Sequence, residues 1–443
     1  MEIRSLRPLT GDGKKLYIET YGCQMNFGDS EIVTSILQDE GWRYTEQITE
    51  ADAILLNTCS IRDNAEQRIW GRLREIDRYR KAKPSVVVGV IGCMAERLKE
   101  QLTEGEYAVD VVAGPDSYRD LPRLLAVAEA GGHGVNVELS KEETYAEIAP
   151  VRLDKNGVSA YIAIMRGCNN FCSYCIIPYA RGNIRSKPKE EVIKEIKCLV
   201  NNGYKEVVLT GIHTGHYGKE TYDYDFSDLL NELCKIDGLL RIRISSIEIT
   251  ELDDKFLNVL RNNTKIVDHI HIPLQSGCDK TLKAMNRKYD SNYYLNKINE
   301  IRNIRPNISI TTDLIVGFPN ETDSDFNNTY DFLKKINFSK IHVFPYSRRK
   351  GTPADLMDNQ IDESIKKERV KRVMELSKEL EINYMNKFIN KELEILVEKC
   401  EYDIIFGHTS NYIGIKTKGS INDVNKIIRV TPNKIDYPIM KEE

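Results

Sequence analysis

Cys168, Cys172 and Cys175 fall in the run Gly167-Cys168-Asn169-Asn170-Phe171-Cys172-Ser173-Tyr174-Cys175, spaced C-x3-C-x2-C. Three thiolates on one tight loop can hold three irons of a [4Fe–4S] cluster and leave the fourth iron open. An open iron can chelate the amino and carboxylate groups of S-adenosylmethionine (SAM). An electron passed into the sulfonium then breaks its C–S bond and yields a 5′-deoxyadenosyl radical. The competing uses are a structural zinc site and a chance grouping of buried thiols. Zinc usually closes with four ligands in two pairs, and no matching C-x2-C or H-x3-H follows.

A second set, Cys23, Cys59 and Cys93, is scattered along the chain but shares one structural address. Each lies just past an apolar stretch, in Tyr21-Gly22-Cys23-Gln24-Met25-Asn26, Asn57-Thr58-Cys59-Ser60-Ile61-Arg62 and Ile91-Gly92-Cys93-Met94-Ala95-Glu96. Strands ending at one edge of a parallel sheet would bring the three thiols together, again suiting a cluster with an open iron. Three separately buried cysteines are the alternative.

The elements that must position these residues follow from periodicity. Residues 1–145 alternate strands (Lys15–Thr20, Ala53–Asn57, Val86–Ile91, Asp110–Ala113) with helices near 30–40 and 64–81, which predicts a parallel α/β sheet. Residues 146–384 hold six more strand candidates: Ala160–Met165, Glu206–Leu209, Arg241–Ser245, His269–Pro273, Ser309–Val316 and Ile341–Tyr346. Six βα units predict a partial (βα)6 barrel with ligands at the strand ends. A charged helix from Asp362 to about Phe388 is expected to run outward. Residues 385–443, with segments such as Leu393–Val397, Tyr412–Lys416 and Lys426–Val430, predict a small all-β barrel.

With 443 residues, 41% hydrophobic and 29% charged, the chain is of ordinary globular composition. Its net charge of −4 argues against a purely electrostatic nucleic-acid binder, although a local basic face is compatible with it. The longest apolar stretch, Val86 to Ala95, is too short to span a membrane, and the N-terminus lacks a signal-peptide core. A cytoplasmic, reducing location is therefore expected, where grouped cysteines serve metals or catalysis. Composition changes near residue 180. Residues 1–180 contain 15 Ala, 7 Lys and 14 Arg with formal charge −6; residues 181–443 contain 2 Ala, 29 Lys and 13 Arg with formal charge +2. So abrupt a change suggests halves of different ancestry, natural or engineered, with uneven drift as the alternative.

The C-x3-C-x2-C loop resembles that of the radical SAM superfamily. The resemblance implies a SAM pocket at later strand ends, formed by Ser245 and Glu248 of Ser245-Ser246-Ile247-Glu248, Gln275 of Pro273-Leu274-Gln275-Ser276-Gly277, and Asp313 and Gly317 of Asp313-Leu314-Ile315-Val316-Gly317-Phe318. The first cysteine set resembles the N-terminal domain of the methylthiotransferases, whose auxiliary cluster supplies sulfur through its open iron. Together these imply two [4Fe–4S] clusters, two uses of SAM, and transfer of a methylthio group to C2 of an adenine. Methylthiotransferases usually end in an RNA-binding barrel (the TRAM domain), which the last segment loosely resembles. Arg348, Lys416, Lys418 and Arg429, with neighbouring lysines, could meet phosphates there, and Phe406 and Tyr412 could stack on bases.

The subfamily resemblance is divided. Residues 1 to about 180 are similar to enzymes acting on isopentenyladenosine in tRNA. From there on, Thr210-Gly211-Ile212-His213-Thr214-Gly215, Arg243-Ile244-Ser245-Ser246-Ile247-Glu248 and Val343-Phe344-Pro345-Tyr346-Ser347-Arg348 are similar to enzymes acting on threonylcarbamoyladenosine. Since the later segments should contact the nucleoside, N6-threonylcarbamoyladenosine next to the anticodon is the expected substrate. Isopentenyladenosine, an aspartate of a ribosomal protein, and a non-catalytic RNA-binding redox sensor are the alternatives. The expected partners of a monomeric enzyme are the tRNA anticodon stem-loop and a reducing electron donor.

Overall fold

The computed structural model describes residues 13–59, 63–104, 109–153 and 157–442. The first layer is a parallel sheet of β1 (Lys15–Thr20), β2 (Arg43–Tyr44), β3 (Ala53–Thr58), β4 (Val87–Gly92), β5 (Val111–Ala113) and β6 (Gly134–Asn136), ordered β2-β1-β3-β4-β5-β6. β3 and β4 are buried along their whole length, which is why they read as unbroken apolar runs. The crossovers are α1 (Gln24–Asp39), α2 (Asp63–Ala82), α3 (Cys93–Thr103) and α4 (Leu121–Glu129). Cys23 is the N-cap of α1 and Cys93 opens α3. The sequence reading began the first helix near residue 30 and had none at Cys93, because cysteine is not among the residues that signal a helix start.

The central layer is an open arc ordered β14-β13-β12-β11-β10-β7, every neighbouring pair parallel. It starts with β7 (Ser159–Ala163). A short antiparallel pair, β8 (Met165–Arg166) and β9 (Arg185–Ser186), then frames the C-x3-C-x2-C loop, with α5 (Ile177–Arg181) between them. There follow α6 (Lys189–Asn201), β10 (Glu206–Thr210), α7 (Phe226–Cys234), β11 (Arg241–Ile244), α8 (Asp254–Asn262), β12 (Ile266–His271), α9 (Asp279–Ala284), α10 (Ser291–Ile304), β13 (Ser309–Val316), α11 (Asp323–Ile336) and β14 (Lys340–Pro345). The six-strand partial barrel is as expected.

α12 (Glu363–Asn386) does not run outward. It covers the open edge of the arc: Val373, Leu376 and Leu380 are buried, and the Ser377 hydroxyl accepts from Ile341 N–H (2.9 Å) and donates to Ile341 C=O (3.1 Å). The apolar stripe that does this is thin, and the charges on either side hide it in the sequence. The chain ends in a mixed six-stranded sheet of β15 (Leu393–Glu401), β16 (Ile404–Thr409), β17 (Gly414–Lys418), β18 (Ile427–Val430), β19 (Lys434–Asp436) and β20 (Ile439–Lys441). This sheet docks where the barrel strands start. Arg241 Nη1 donates to His408 C=O (2.7 Å), Asp268 N–H to Ser410 Oγ (2.9 Å), and Asn425 Nδ2 to Gly203 C=O (2.8 Å).

The first layer joins the barrel through buried charge. Asp29 of α1 is fully enclosed and accepts from Arg166 Nη2 (2.5 Å) and Arg181 Nη2 (2.8 Å), both also buried. Burial works against the Asp29 carboxylate, but the two guanidiniums outweigh it and hold its pKa below the usual range. A second relay runs from Glu31 through Arg152 (2.7 Å) to Glu195 (2.6 Å) and Lys187 (2.6 Å). Removing one member of such a network strands the others. Asp29→Asn should therefore cost about 3–5 kcal/mol and lower the melting temperature by about 6 °C or more. A melting curve of the cluster-loaded protein shifted by less than about 2 °C would refute the role given to this carboxylate.

Two cysteine triplets as a candidate active site

β1, β3 and β4 are adjacent in the first sheet, so the residues following them meet at one edge. Cys59 and Cys93 come directly after β3 and β4, and Cys23 three residues after β1. Gly22 has φ +141°, and a Cβ there would come within 2.5 Å of the Cys59 Cβ, so these two loops touch. Asn26 and Asn57 bind them further: Asn26 Nδ2 donates to Asn57 Oδ1 (2.9 Å) and Thr58 C=O (3.1 Å), and Asn57 Nδ2 to Asn26 C=O (2.8 Å). The Cys59 thiol hydrogen-bonds the Cys23 sulfur and, against burial and with help from Arg181, brings the Cys23 thiol down to about 6. Two of the three sulfurs sit at helix N-termini, where the dipole favours a thiolate.

Burial pushes the Cys93 thiol up, yet Arg181 Nε donates to its sulfur at 2.9 Å. Arg181 Nη1 is buried and has no partner. A guanidinium with an orphaned donor beside three thiols is the environment an anionic iron–sulfide group would complete.

The second triplet sits on the loop between β8 and α5. Cys175 N–H donates to Cys172 C=O (2.9 Å), Cys168 N–H to Gly182 C=O (3.1 Å), and Ser173 Oγ to Ala284 C=O (2.7 Å), so the loop is held from both sides. Gly167, at φ +72°, lies so close to the Asn183 carbonyl that no Cβ would fit. Burial raises the Cys168 thiol to about 11 and Cys175 to about 12, each also feeling Cys172. Arg287 acts on both in the opposite direction, toward the thiolate.

Arg287, which the sequence reading missed, links this loop to the strand ends. Its Nη2 donates to both Glu248 oxygens at 2.6 Å, and its Nη1 to Cys172 Sγ at 3.3 Å. Glu248 is thus brought to the triplet. Ser245 directly follows β11 and Asp313 lies in β13, with His271 Nε2 at 3.3 Å. Gln275 takes a left-handed φ of +65°; its N–H donates to Asp313 C=O and its C=O accepts from Ile315 N–H, both 2.9 Å. Gly317 also has positive φ (+72°), but the close approach there is made by the Lys366 side chain of α12. Arg181 and Arg287 share one sequence signal, a lone arginine just beyond a cysteine loop or a short helix, too common to single out.

The basic residues are more dispersed. Lys416 and Lys418 are exposed on β17. Arg348 is paired with Asp355 at 2.8 Å, and Arg429 lies 3.4 Å from Glu392 and 3.7 Å from Glu394, so both share their charge with carboxylates. Tyr412 is stacked on His408 (4.5 Å) with Arg243 over its ring (4.3 Å), and Phe406 meets His408 edge-on (5.0 Å). Those contacts occupy ring faces expected to be open to bases. No helix among the described residues is long and apolar enough to cross a membrane.

Residues 162–333 match the Radical SAM superfamily and residues 15–114 the Uncharacterized protein family UPF0004. A tRNA-2-methylthio-N(6)-dimethylallyladenosine synthase of Parabacteroides distasonis is 42% identical over 430 residues, 96% of this chain and 94% of that one. The enzyme of the same name from Bacteroides fragilis is 42% identical over 405 residues, 90% of this chain and 88% of its own. Among solved structures, the radical S-adenosylmethionine methyltransferase TsrM of Kitasatospora setae, with cobalamin and a [4Fe–4S] cluster bound, superposes with TM-score 0.58 at 13% identity, covering 78% of this chain and 74% of that one, a likeness of fold. Identity sustained from one end to the other across both cysteine triplets means that the chain belongs to the methylthiotransferase family of radical SAM enzymes.

Proposed function

We propose that the chain adds a methylthio group to C2 of N6-dimethylallyladenosine (isopentenyladenosine) in tRNA. The observation that carries this reading is the pair of thiol triplets at the C-terminal edges of two joined parallel sheets, with Arg181 reaching from the second loop to Cys93 of the first. The substrate follows the relatives named for that nucleoside, whose similarity extends over 96% of the chain. It replaces threonylcarbamoyladenosine, which rested on short stretches after residue 180. A specific observation still speaks for that second nucleoside, the run Thr210 to Gly215 beside the strand ends.

The enzyme works with two [4Fe–4S] clusters and SAM. When bound, these supply sulfur, a methyl group and one-electron cleavage of the sulfonium, which a side-chain base cannot replace at an unactivated C–H bond. In our assignment Cys168, Cys172 and Cys175 hold the cluster that binds SAM, and Cys23, Cys59 and Cys93 hold the auxiliary one. Arg287 orients Glu248 toward SAM, with Ser245, Gln275, Asp313 and Gly317 along the same edge. Arg181 stabilises the Cys93 thiolate. Lys416 and Lys418, with Arg348 and Arg429, meet phosphates of the anticodon stem-loop. The enzyme acts as a cytoplasmic monomer served by a reducing electron donor.

Changing Cys168, Cys172 and Cys175 to Ala should lower iron from about eight to about four per chain and abolish 5′-deoxyadenosine. The same change at Cys23, Cys59 and Cys93 should lower iron equally but leave 5′-deoxyadenosine formation intact while stopping thiomethylation. Thiomethylated tRNA from either variant would defeat the assignment. For the substrate, nucleoside mass spectrometry after incubation with tRNA bearing dimethylallyladenosine or threonylcarbamoyladenosine should show the methylthio product from the first. Product from the second alone would restore the other nucleoside.

A further inference from the structure

Outside the two triplets, one set of three ligand atoms among the described residues lies within 4.8 Å: His213, His216 and Glu251. We propose that this set is a third metal site, built for zinc or a similar borderline divalent cation and held by one nitrogen of each imidazole and one carboxylate oxygen. The two histidines lie on the loop after β10, around the single turn Thr214–His216, and Glu251 closes the turn Ile249–Glu251 after β11. The loops are locked together: a Cβ on Gly215 would run into the Glu251 side chain, and Thr214 Oγ1 donates to Ser246 C=O. The ligands are therefore preset.

His213 Nε2 lies 3.4 Å from Glu251 Oε1 and His216 Nδ1 3.7 Å from the same oxygen. The His213 side chain is 7% exposed, and neither of its ring nitrogens has a hydrogen-bond partner in the structure. An enclosed imidazole left so is unfavourable, and a cation between it and Glu251 would satisfy it. Lys219 Nζ sits 2.5 Å from Glu251 Oε2 and orients the carboxylate from outside, leaving Oε1 for the metal. Two imidazoles with one carboxylate favour zinc, iron, nickel or copper over magnesium and calcium. The His216 side chain, 33% exposed, provides the entry path.

The test uses holoprotein with iron and sulfide counted, equilibrated with zinc chloride and desalted. We expect about one zinc per chain with nitrogen and oxygen neighbours at about 2.0–2.1 Å at the zinc absorption edge, no sulfur in its shell, and iron unchanged. His216→Ala and Glu251→Gln should each weaken zinc binding about 100-fold, with iron content and circular dichroism as controls. Since His216 is partly exposed, that variant keeps the readout usable if Glu251→Gln misfolds. No zinc retained, zinc bound through sulfur at about 2.3 Å, or undiminished binding by a folded variant would each overturn the site.

Discussion

Asp29, shut away between Arg166 and Arg181, is the interaction on which the rest of the arrangement depends. It is the point where α1 of the first layer meets both ends of the C-x3-C-x2-C loop, since Arg166 precedes Cys168 by two residues and Arg181 follows Cys175 by six. One carboxylate does not neutralise two guanidiniums, so the buried interface calls for further negative charge. Buried positive charge is tolerable only when something negative faces it. Asp116, its side chain buried and paired with Arg185 at 2.9 Å, offsets part of it, and the thiols of Cys93 and Cys23 also feel Arg181. The carboxylates and arginines that join the layers therefore reach as far as the first cysteine set, through Arg181 and Cys93.

The reach of these contacts explains what the sequence makes visible and what it does not. The strands behind the first triplet are legible because β3 and β4 are buried on both faces and read as continuous apolar runs that stop at a cysteine. The partial barrel is legible from the number of its units. The partners of the thiols are not, because Arg181 meets Asp29 across 152 positions and Arg287 meets Cys172 across 115, and no periodicity records such pairings. α12 was misread for a related reason: its identity as the cover of β14 lies in three apolar residues among many charges. Tyr412 shows the reverse error. It looks like a free stacking platform in the sequence, but Arg243 and His408 already use its ring where the terminal sheet meets the barrel.

The shift from arginine to lysine near residue 180 also acquires a physical reading. Downstream of it lysines outnumber arginines by 29 to 13, yet the buried cations there are mostly Arg181, Arg185, Arg241, Arg243, Arg349 and Arg369, with Lys187 and Lys366 the exceptions. A planar fork that must satisfy two carboxylate oxygens or several carbonyls inside a protein has no lysine equivalent, whereas an exposed charge does. Lysine is therefore concentrated where a charge is exposed and arginine where it is enclosed. Similarity to the curated relatives continues across the break.

The stretches after residue 180 on which threonylcarbamoyladenosine rested also have structural duties. In the stretch Thr210 to Gly215, His213 approaches Glu251, Thr214 bonds Ser246 and Gly215 packs on Glu251. Those identities serve the neighbouring loop, so they are not a signal of substrate alone. The docking of the terminal sheet adds a geometric constraint. It joins the barrel where strands start, whereas the cysteine loops lie where strands end. The terminal sheet and the cysteine loops therefore lie at opposite ends of the barrel strands.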